Sequence, residues 1–372
     1  MAVDAEQYNQ IIRTLVEHNR EEAIDEHMQR QREGTNRQWV LVSRPEGMIT
    51  ESNFRWNESP IPIPKEGEVL VRNLWLSFDP TQRGWMTRDS YYPKIPIGEV
   101  MRGGAIGQVV ESRSPDYKVG ELVFGLFGWQ DYIATGGRGL FPMLRVPSSM
   151  PPNLALSLFG TTGLTAYFGV NDIAQSKAGE TFVVSSAAGA VGSIAGQIAK
   201  IKGSRVIGIA GGKAKCDWLM QEAHFDGAID YRTENVATRL SELCPQGIDV
   251  YFDNVGGPLL DEVLVRINPH ARIVICGSIS TYNTGKPYAP MNYFNLALRN
   301  SRMEGFLVTD YVSRYPEAIQ ALFGWLGEGR LKQKEDVVVG LENAPKALIR
   351  LFTGENFGKQ LLRIAGVVQA SE

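Results

Sequence analysis

The feature that most constrains this chain is an alternation running for more than 100 residues from about Asn153. Five apolar runs, "TFVVSSA", "SRVIGIAG", "DGAIDY", "DVYFDNV" and "ARIVICGS", are separated by helix-like segments. Strand–helix–strand alternation of this length implies a parallel, doubly wound sheet. The text before it is different. From Gln38 to about Pro152, short β-rich runs such as "QWVLVSRP", "EVLVRNLWLSFDP", "GGAIGQVVESR" and "ELVFGLFGWQDYIAT" are separated by turn residues. That spacing suggests a compact β domain of barrel type. The last stretch, "GRLKQKEDVVVGLENAPKALIRLFTGENFGKQLLRI", returns to one helix and strands, and is expected to fold back onto the first domain.

Residues 1–35 form a third part. An apolar stripe at Tyr8, Ile11, Ile12, Leu15 and Val16 fades into a run dense in charge, with Gly34 as the stop signal. Two readings stand: solvated helices packed on the body or on a partner subunit, or a lid. The expected organisation is therefore an N-terminal helical extension over 1–35, a β domain over 36–153 with 333–372, and a doubly wound domain over 154–332.

Charge and cysteine usage exclude several classes. The formal net charge is −3 and no basic run forms a nucleic-acid patch. Three cysteines, Cys216, Cys244 and Cys276, with no CxxC spacing, fit a reducing compartment. No segment has the eighteen or so apolar residues that span a bilayer, and the N-terminus has no apolar signal-peptide core. A cytoplasmic protein with neither nucleic-acid nor membrane partners is expected.

The turn after the first strand of the alternation reads "VVSSAAGAVGSIAGQIAK". In the dinucleotide fingerprint G-x-G-x-x-G the first glycine allows the tight turn, the second lets backbone approach the pyrophosphate, and the third packs helix on strand. Here those places hold Ala187, Gly189 and Gly192. The strand precedes, the helix follows, and the helix-start amides face a negative ligand. The motif is read as a dinucleotide cradle; the bland alternative is a tightly packed turn. An NAD enzyme puts Asp or Glu at the end of the next strand to hold the ribose 2′-hydroxyl. This chain offers Gly211, Gly212, Lys213 and Lys215, which favours NADP; two solvated surface lysines are the other reading.

A catalytic zinc needs about three converging Cys, His or carboxylate ligands. The histidines are His18, His27, His224 and His270, and neither they nor the cysteines fall in the β domain. No metal site is expected. There is no G-x-S-x-G elbow for a serine hydrolase either.

The motifs "AAGAVGS", "YFDNVGG", "ICGSISTYN", "ENFGKQLLRI", "LSFDPTQRGWM", "GWQDYIAT", "GTTGLTAY" and "RMEGFLV" resemble the zinc-free medium-chain dehydrogenase/reductases. More narrowly they are similar to the leukotriene/prostaglandin reductases, alkenal double-bond reductases and bacterial curcumin reductases, with a lean toward the last branch. The resemblance covers Asn36 to about Gly366; residues 1–35 depart from it. It implies a GroES-like β-barrel domain joined to a Rossmann domain, and NADPH as cofactor. The implied reaction is hydride transfer to the β-carbon of an α,β-unsaturated ketone or aldehyde, with a homodimer as the assembly.

Carried over by position, the resemblance assigns the pyrophosphate to Gly189, Ala190, Val191, Gly192 and Ser193, and the 2′-phosphate to Lys215. Tyr231 and Asn254 would contact the adenosine side. Cys276, Gly277, Ser278, Ile279 and Ser280 would line the cofactor, Phe306, Leu307 and Val308 would flank the nicotinamide, and Asn356 would bind near it. Tyr282 is the candidate donor to the substrate oxygen; alternatively it is a turn tyrosine with a solvated hydroxyl. Asp79 and Arg83 are read as an ion pair shaping the β domain or as a substrate clamp. A quinone reductase of the same fold, or a non-catalytic NADPH-binding scaffold, are the competing functions.

Overall fold

The computed structural model describes residues 34–138 and 142–366. The helical extension expected over 1–35 lies almost wholly outside the described residues. The chain divides into two units. The first comprises residues up to Leu156, Asp336–Glu355 and the chain from Gln360; the second is Ser157–Glu335 with Asn356–Lys359.

In the first unit, β1 (Thr35–Leu41) and β2 (Phe54–Pro60) pair antiparallel. The larger sheet uses β3 (Val69–Ser77), β4 (Ala105–Ser112), β5 (Leu122–Gly125), β6 (Tyr132–Thr135), β7 (Leu144–Val146), β14 (Glu335–Val339) and β15 (Lys359–Arg363). Its order is β14-β15-β3-β4-β5-β7, with β6 also on β3. β3 is apolar nearly throughout because it is paired on both sides and covered on both faces: Val71, Leu74 and Leu76 have no exposed surface. Helix Ala344–Thr353 covers the same core with Ala344, Ala347 and Leu348. Arg83, only 4% exposed, donates to the carbonyls of Pro45 (3.1 Å) and Gly47 (3.0 Å) and to Thr87 Oγ1 (3.1 Å). Asp79 accepts from Ser77 Oγ at 2.6 Å. These contacts fix the loop before β2 and the end of β3.

The second unit carries β8 (Thr181–Ser185), β9 (Arg205–Ala210), β10 (Gly227–Asp230), β11 (Ile248–Asp253), β12 (Ile267–Ile275) and β13 (Arg302–Gly305). They form one parallel sheet ordered β10-β9-β8-β11-β12-β13. Phe182, Val183 and Val184 of β8 and Val250, Tyr251 and Phe252 of β11 have no exposed surface. Unbroken apolar runs are what central parallel strands need, because helices cover both faces. The chain steps outward from β8 through β9 to β10, then returns to the other side of β8 with β11. The carboxyl ends of β8 and β11 therefore mark the topological switch point, where such sheets bind ligands. The Rossmann-type fold and the separate β domain expected from the sequence are both present. Among the described residues no helix is long and apolar enough to cross a membrane.

Candidate active site

The residues that the resemblance assigns to the cofactor, and Tyr282, belong to the second unit, most of them on the loops leaving its strands; Asp79 and Arg83, read as a possible clamp, belong to the first. β8 ends at Ser185, and Ser186 takes the left-handed region with φ 49°. That turns its carbonyl back to accept the Gly189 N–H at 2.9 Å. Helix α1 (Ala190–Ile201) starts directly afterwards, and its first internal bond runs from Ser193 N–H to the Gly189 carbonyl at 3.1 Å. The amides of Ala190, Val191 and Gly192 precede that bond and point out of the helix start.

The cradle is tight. A Cβ on Gly192 would lie 2.4 Å from the Ser186 carbonyl oxygen, and one on Gly189 would lie 2.8 Å from Ser186 Oγ. Both glycine positions of the fingerprint are thus enforced by packing, and the residues present fit a dinucleotide. The segment Asn356–Lys359 runs alongside: Gly358 N–H donates to the Ala188 carbonyl at 3.0 Å, and Asn356 Nδ2 donates to the Gly358 carbonyl at 3.1 Å.

β11 delivers Asn254 to the other side of the switch point. Its amide donates to Ser185 Oγ (2.9 Å) and its Nδ2 to the Ser185 carbonyl (2.8 Å), tying the ends of β8 and β11 together. Beneath lies Asp253, which is buried. Its Oδ1 accepts from Tyr251 Oη (2.9 Å), Ser185 Oγ (3.2 Å) and the amides of Val255 (2.9 Å) and Gly256 (2.8 Å). Burial pushes this carboxyl up from its ordinary value against those donors. Asp253 is a structural hub that organises three strand ends.

The loop after β12 is laced to the loop after β11. Cys276 and Gly277 donate to the Asp253 carbonyl, Ile279 to that of Asn254, and Ser280 to that of Val255 through both its amide and its Oγ. Burial pushes the Cys276 thiol up to about 12, with Asp253 adding to it, so it stays protonated. A short turn, Ile279–Thr281, then sets Tyr282 so that its ring reaches back over the loop. Its hydroxyl oxygen accepts the Ser278 N–H at 3.2 Å. The Tyr282 side chain is half-buried. An oxygen that accepts from a backbone amide is polarised toward donating its own proton.

At the next strand end, Tyr231 covers Gly211 and is 52% exposed, and Lys215 sits in the first turn of helix α2 (Lys213–Gln221). Lys213 pairs with Asp217 at 2.6 Å. Phe306, Leu307 and Val308 follow β13, two strands from β11. The Phe306 ring turns toward Gly169 and Tyr311, Leu307 is 43% exposed, and the Val308 carbonyl accepts from Tyr315 Oη.

Residues 37–143 match a family model described as the N-terminal domain of oxidoreductase, and residues 190–324 one described as zinc-binding dehydrogenase. The NADPH-dependent curcumin reductase of Escherichia coli (strain K12) is 42% identical over 343 residues, 90% of this chain and 99% of that protein. The NADP(+)-dependent 2-alkenal reductase of Nicotiana tabacum is 38% identical over 340 residues, 90% of this chain and 98% of that one. The crystal structure of CurA from Vibrio vulnificus superposes with a TM-score of 0.84 at 43% identity, covering 90% of this chain and 100% of the other. A second structure of that protein, in complex with NADPH, gives the same score and covers 89% and 99%. Among the described residues no group of three or more His, Cys, Asp or Glu side chains gathers to hold a metal ion. The chain belongs to the zinc-independent medium-chain dehydrogenase/reductases, in the oxidoreductase group that contains the curcumin, alkenal and prostaglandin reductases.

Proposed function

We propose that this enzyme uses NADPH to reduce the C=C bond of α,β-unsaturated ketones and aldehydes, curcumin-like enones and alkenals among them. NADPH, when bound, supplies the hydride that reaches the substrate's β-carbon. The rest is the work of this chain's residues. The amides of Ala190, Val191 and Gly192, with Gly189 and Ser193, hold the pyrophosphate; Lys215 and Tyr231 hold the adenosine end. Asn254, Cys276–Ser280, Phe306–Val308 and Asn356 shape the remainder of the groove. Tyr282 donates its hydroxyl proton as a hydrogen bond to the substrate carbonyl. As the β-carbon gains hydride, the π electrons move to that oxygen, and Tyr282 stabilises the developing enolate until the α-carbon is protonated. This is oxyanion stabilisation by a prepositioned donor.

The observation carrying this reading is the Tyr282 hydroxyl, held at 3.2 Å by the Ser278 amide on a loop at the strand ends. The names of the relatives support the substrate class. The test follows NADPH absorbance with a panel of enones, enals and quinones, for the natural chain and Tyr282→Phe. We expect enone turnover to fall by about 100-fold or more, the usual cost of losing an oxyanion donor, while NADPH affinity is kept. An unchanged kcat removes Tyr282 from the mechanism. Turnover of quinones alone, or of no substrate, replaces this reading with a quinone reductase or a scaffold.

The free cysteines Cys216, Cys244 and Cys276 suit a cytoplasmic setting. A homodimer joined at the β13 edge is supported by the exposed side chains of Met291 (78%), Tyr293 (60%), Phe294 (61%) and Leu298 (69%), just before that strand.

A further inference from the structure

We propose that Asp261 is a positioning residue for the reduction: it anchors the strap that leaves Tyr282 and so keeps the Tyr282 hydroxyl in place for the substrate oxygen. The inference rests on the reading of Tyr282 above and adds a residue that acts through Tyr282 rather than on the substrate.

After Tyr282 the chain crosses residues 283–294 without helix or strand before the short helix Asn295–Leu298. An irregular segment of this length keeps one course only where its polar groups find partners that offset the entropy of ordering it. Two anchors supply them. At the near end Thr284 donates its amide and its Oγ1 to the Thr281 carbonyl, at 3.2 and 3.0 Å. Thr281 closes the turn that sets Tyr282, and its Oγ1 donates back to the Ser278 carbonyl at 2.9 Å. At the far end a single residue takes the strap. Asp261 Oδ2 accepts from Tyr288 Oη at 2.5 Å and Oδ1 accepts the Asn292 amide at 2.8 Å. The Asp261 carbonyl also accepts from Asn292 Nδ2 at 3.3 Å.

Asp261 is 5% exposed, on the second turn of helix α3 (Gly257–Leu264). A carboxylate so buried costs free energy unless hydrogen bonds satisfy it. The donors that satisfy it, Tyr288 Oη and the Asn292 and Met291 amides, are strap residues. Burial works against its charge, and those donors still hold the carboxyl below its ordinary value. Releasing the strap would leave a buried charge short of donors, so the anchored course is the favoured one. The same helix also meets the chain before Tyr282. The glycines at its start, Gly256 and Gly257, leave room for Ser278 and Ser280; a Cβ on Gly257 would come within 2.6 Å of Ser280 Oγ. Helix α3 thus holds the chain before Tyr282 at its first turn and the chain after Tyr282 at its second. A hydroxyl held on both flanks is fixed before the reaction begins, which is what stabilising a developing oxyanion requires.

The test compares enone turnover, NADPH affinity and thermal unfolding of the full-length chain as natural protein, Asp261→Asn, Tyr288→Phe, Tyr282→Phe, and Tyr288→Phe combined with Tyr282→Phe. Asp261→Asn replaces one acceptor oxygen by a donor. Tyr288→Phe removes only the strap's hydroxyl and keeps α3 as it is, should the first variant fold poorly. We expect each to lower kcat by about tenfold, less than Tyr282→Phe does, with NADPH affinity kept. In the Tyr282→Phe background, Tyr288→Phe should cost nothing more, because residues that act as a unit are not additive. An unchanged kcat in Tyr288→Phe overturns the inference and leaves Tyr282 in its role. So does a loss that adds in full to that of Tyr282→Phe, or one shared equally by NADPH affinity. A natural kcat in Tyr282→Phe overturns the reading of Tyr282 itself, and this inference falls with it.

Discussion

Replacing Gly192 by alanine tests whether the cradle is held open by packing. A Cβ at this position would sit 2.4 Å from the Ser186 carbonyl oxygen, 3.0 Å from its carbonyl carbon and 3.1 Å from Ala187 Cα. All three are backbone atoms, so no side chain can rotate away. To bring the first contact to 3.0 Å the start of α1 must retreat by 3.0 − 2.4 = 0.6 Å. Overpacking of this kind costs about 1–3 kcal/mol of stability. The same retreat carries the amides of Ala190–Gly192 off the pyrophosphate they are proposed to hold. A bond of about 2.9 Å stretched by that amount is no longer a good hydrogen bond, and losing one charge-assisted bond weakens binding by about 2 kcal/mol, roughly 30-fold. Gly192→Ala should therefore lower both the melting temperature and NADPH affinity. Gly189→Ala is the contrast. Its Cβ would meet the Ser186 hydroxyl at 2.8 Å, which can rotate, and the Ser186 carbonyl oxygen at 3.0 Å, which cannot, while its φ of −86° suits alanine. It should lose less stability than Gly192→Ala yet also lose affinity, because the methyl stands where backbone is proposed to approach phosphate. Thermal unfolding and NADPH fluorescence titration read the two effects separately. A Gly192→Ala protein with natural melting temperature and natural NADPH Kd would refute the reasoning.

Two further outcomes follow from other parts of the molecule. Asp230 has a folded pKa below its ordinary 3.8, so its contribution is present above that value and lost as pH falls through the lowered one. Asp230→Asn should cost about 1–2 kcal/mol at neutral pH and lose stability less steeply than the natural chain on acidification below about pH 4; parallel acid slopes would contradict this. At the β13 edge, Phe294→Asp with Leu298→Asp should convert a dimer to a monomer by light scattering, and a natural chain that is monomeric would refute the proposed assembly.

The central strands were legible because burial on both faces writes itself as an unbroken apolar run. "TFVVSSA" and "DVYFDNV" became Thr181–Ser185 and Ile248–Asp253. β13 was not legible in the same way. Its four residues, Arg302 to Gly305, are all exposed, since an outermost strand has one paired side and little core to face. Periodicity reports burial, and where burial is absent it reports nothing. The site shows the same divide. The glycine turn lies within one local motif, but Asn254 reaches Ser185 only through the pairing of β8 with β11, a relation 69 residues long that no local pattern encodes.

Ala187 shows most clearly what a motif omits. Taken alone, it departs from the first glycine of the fingerprint. In the fold it is fully buried, and its amide donates to the Ile209 carbonyl of β9 at 3.0 Å. Its methyl lies over Gly208, where an added Cβ would come within 2.9 Å of Ala187 Cβ and equally close to the Phe225 ring. Gly208 is paired with Val184 across β8 and β9. The side chain added at the turn is accommodated by the one missing from the neighbouring strand. Close packing conserves volume across neighbours rather than along the chain. The requirement behind the first glycine is thus room for the turn against β9, and this chain meets it with an Ala187–Gly208 pair.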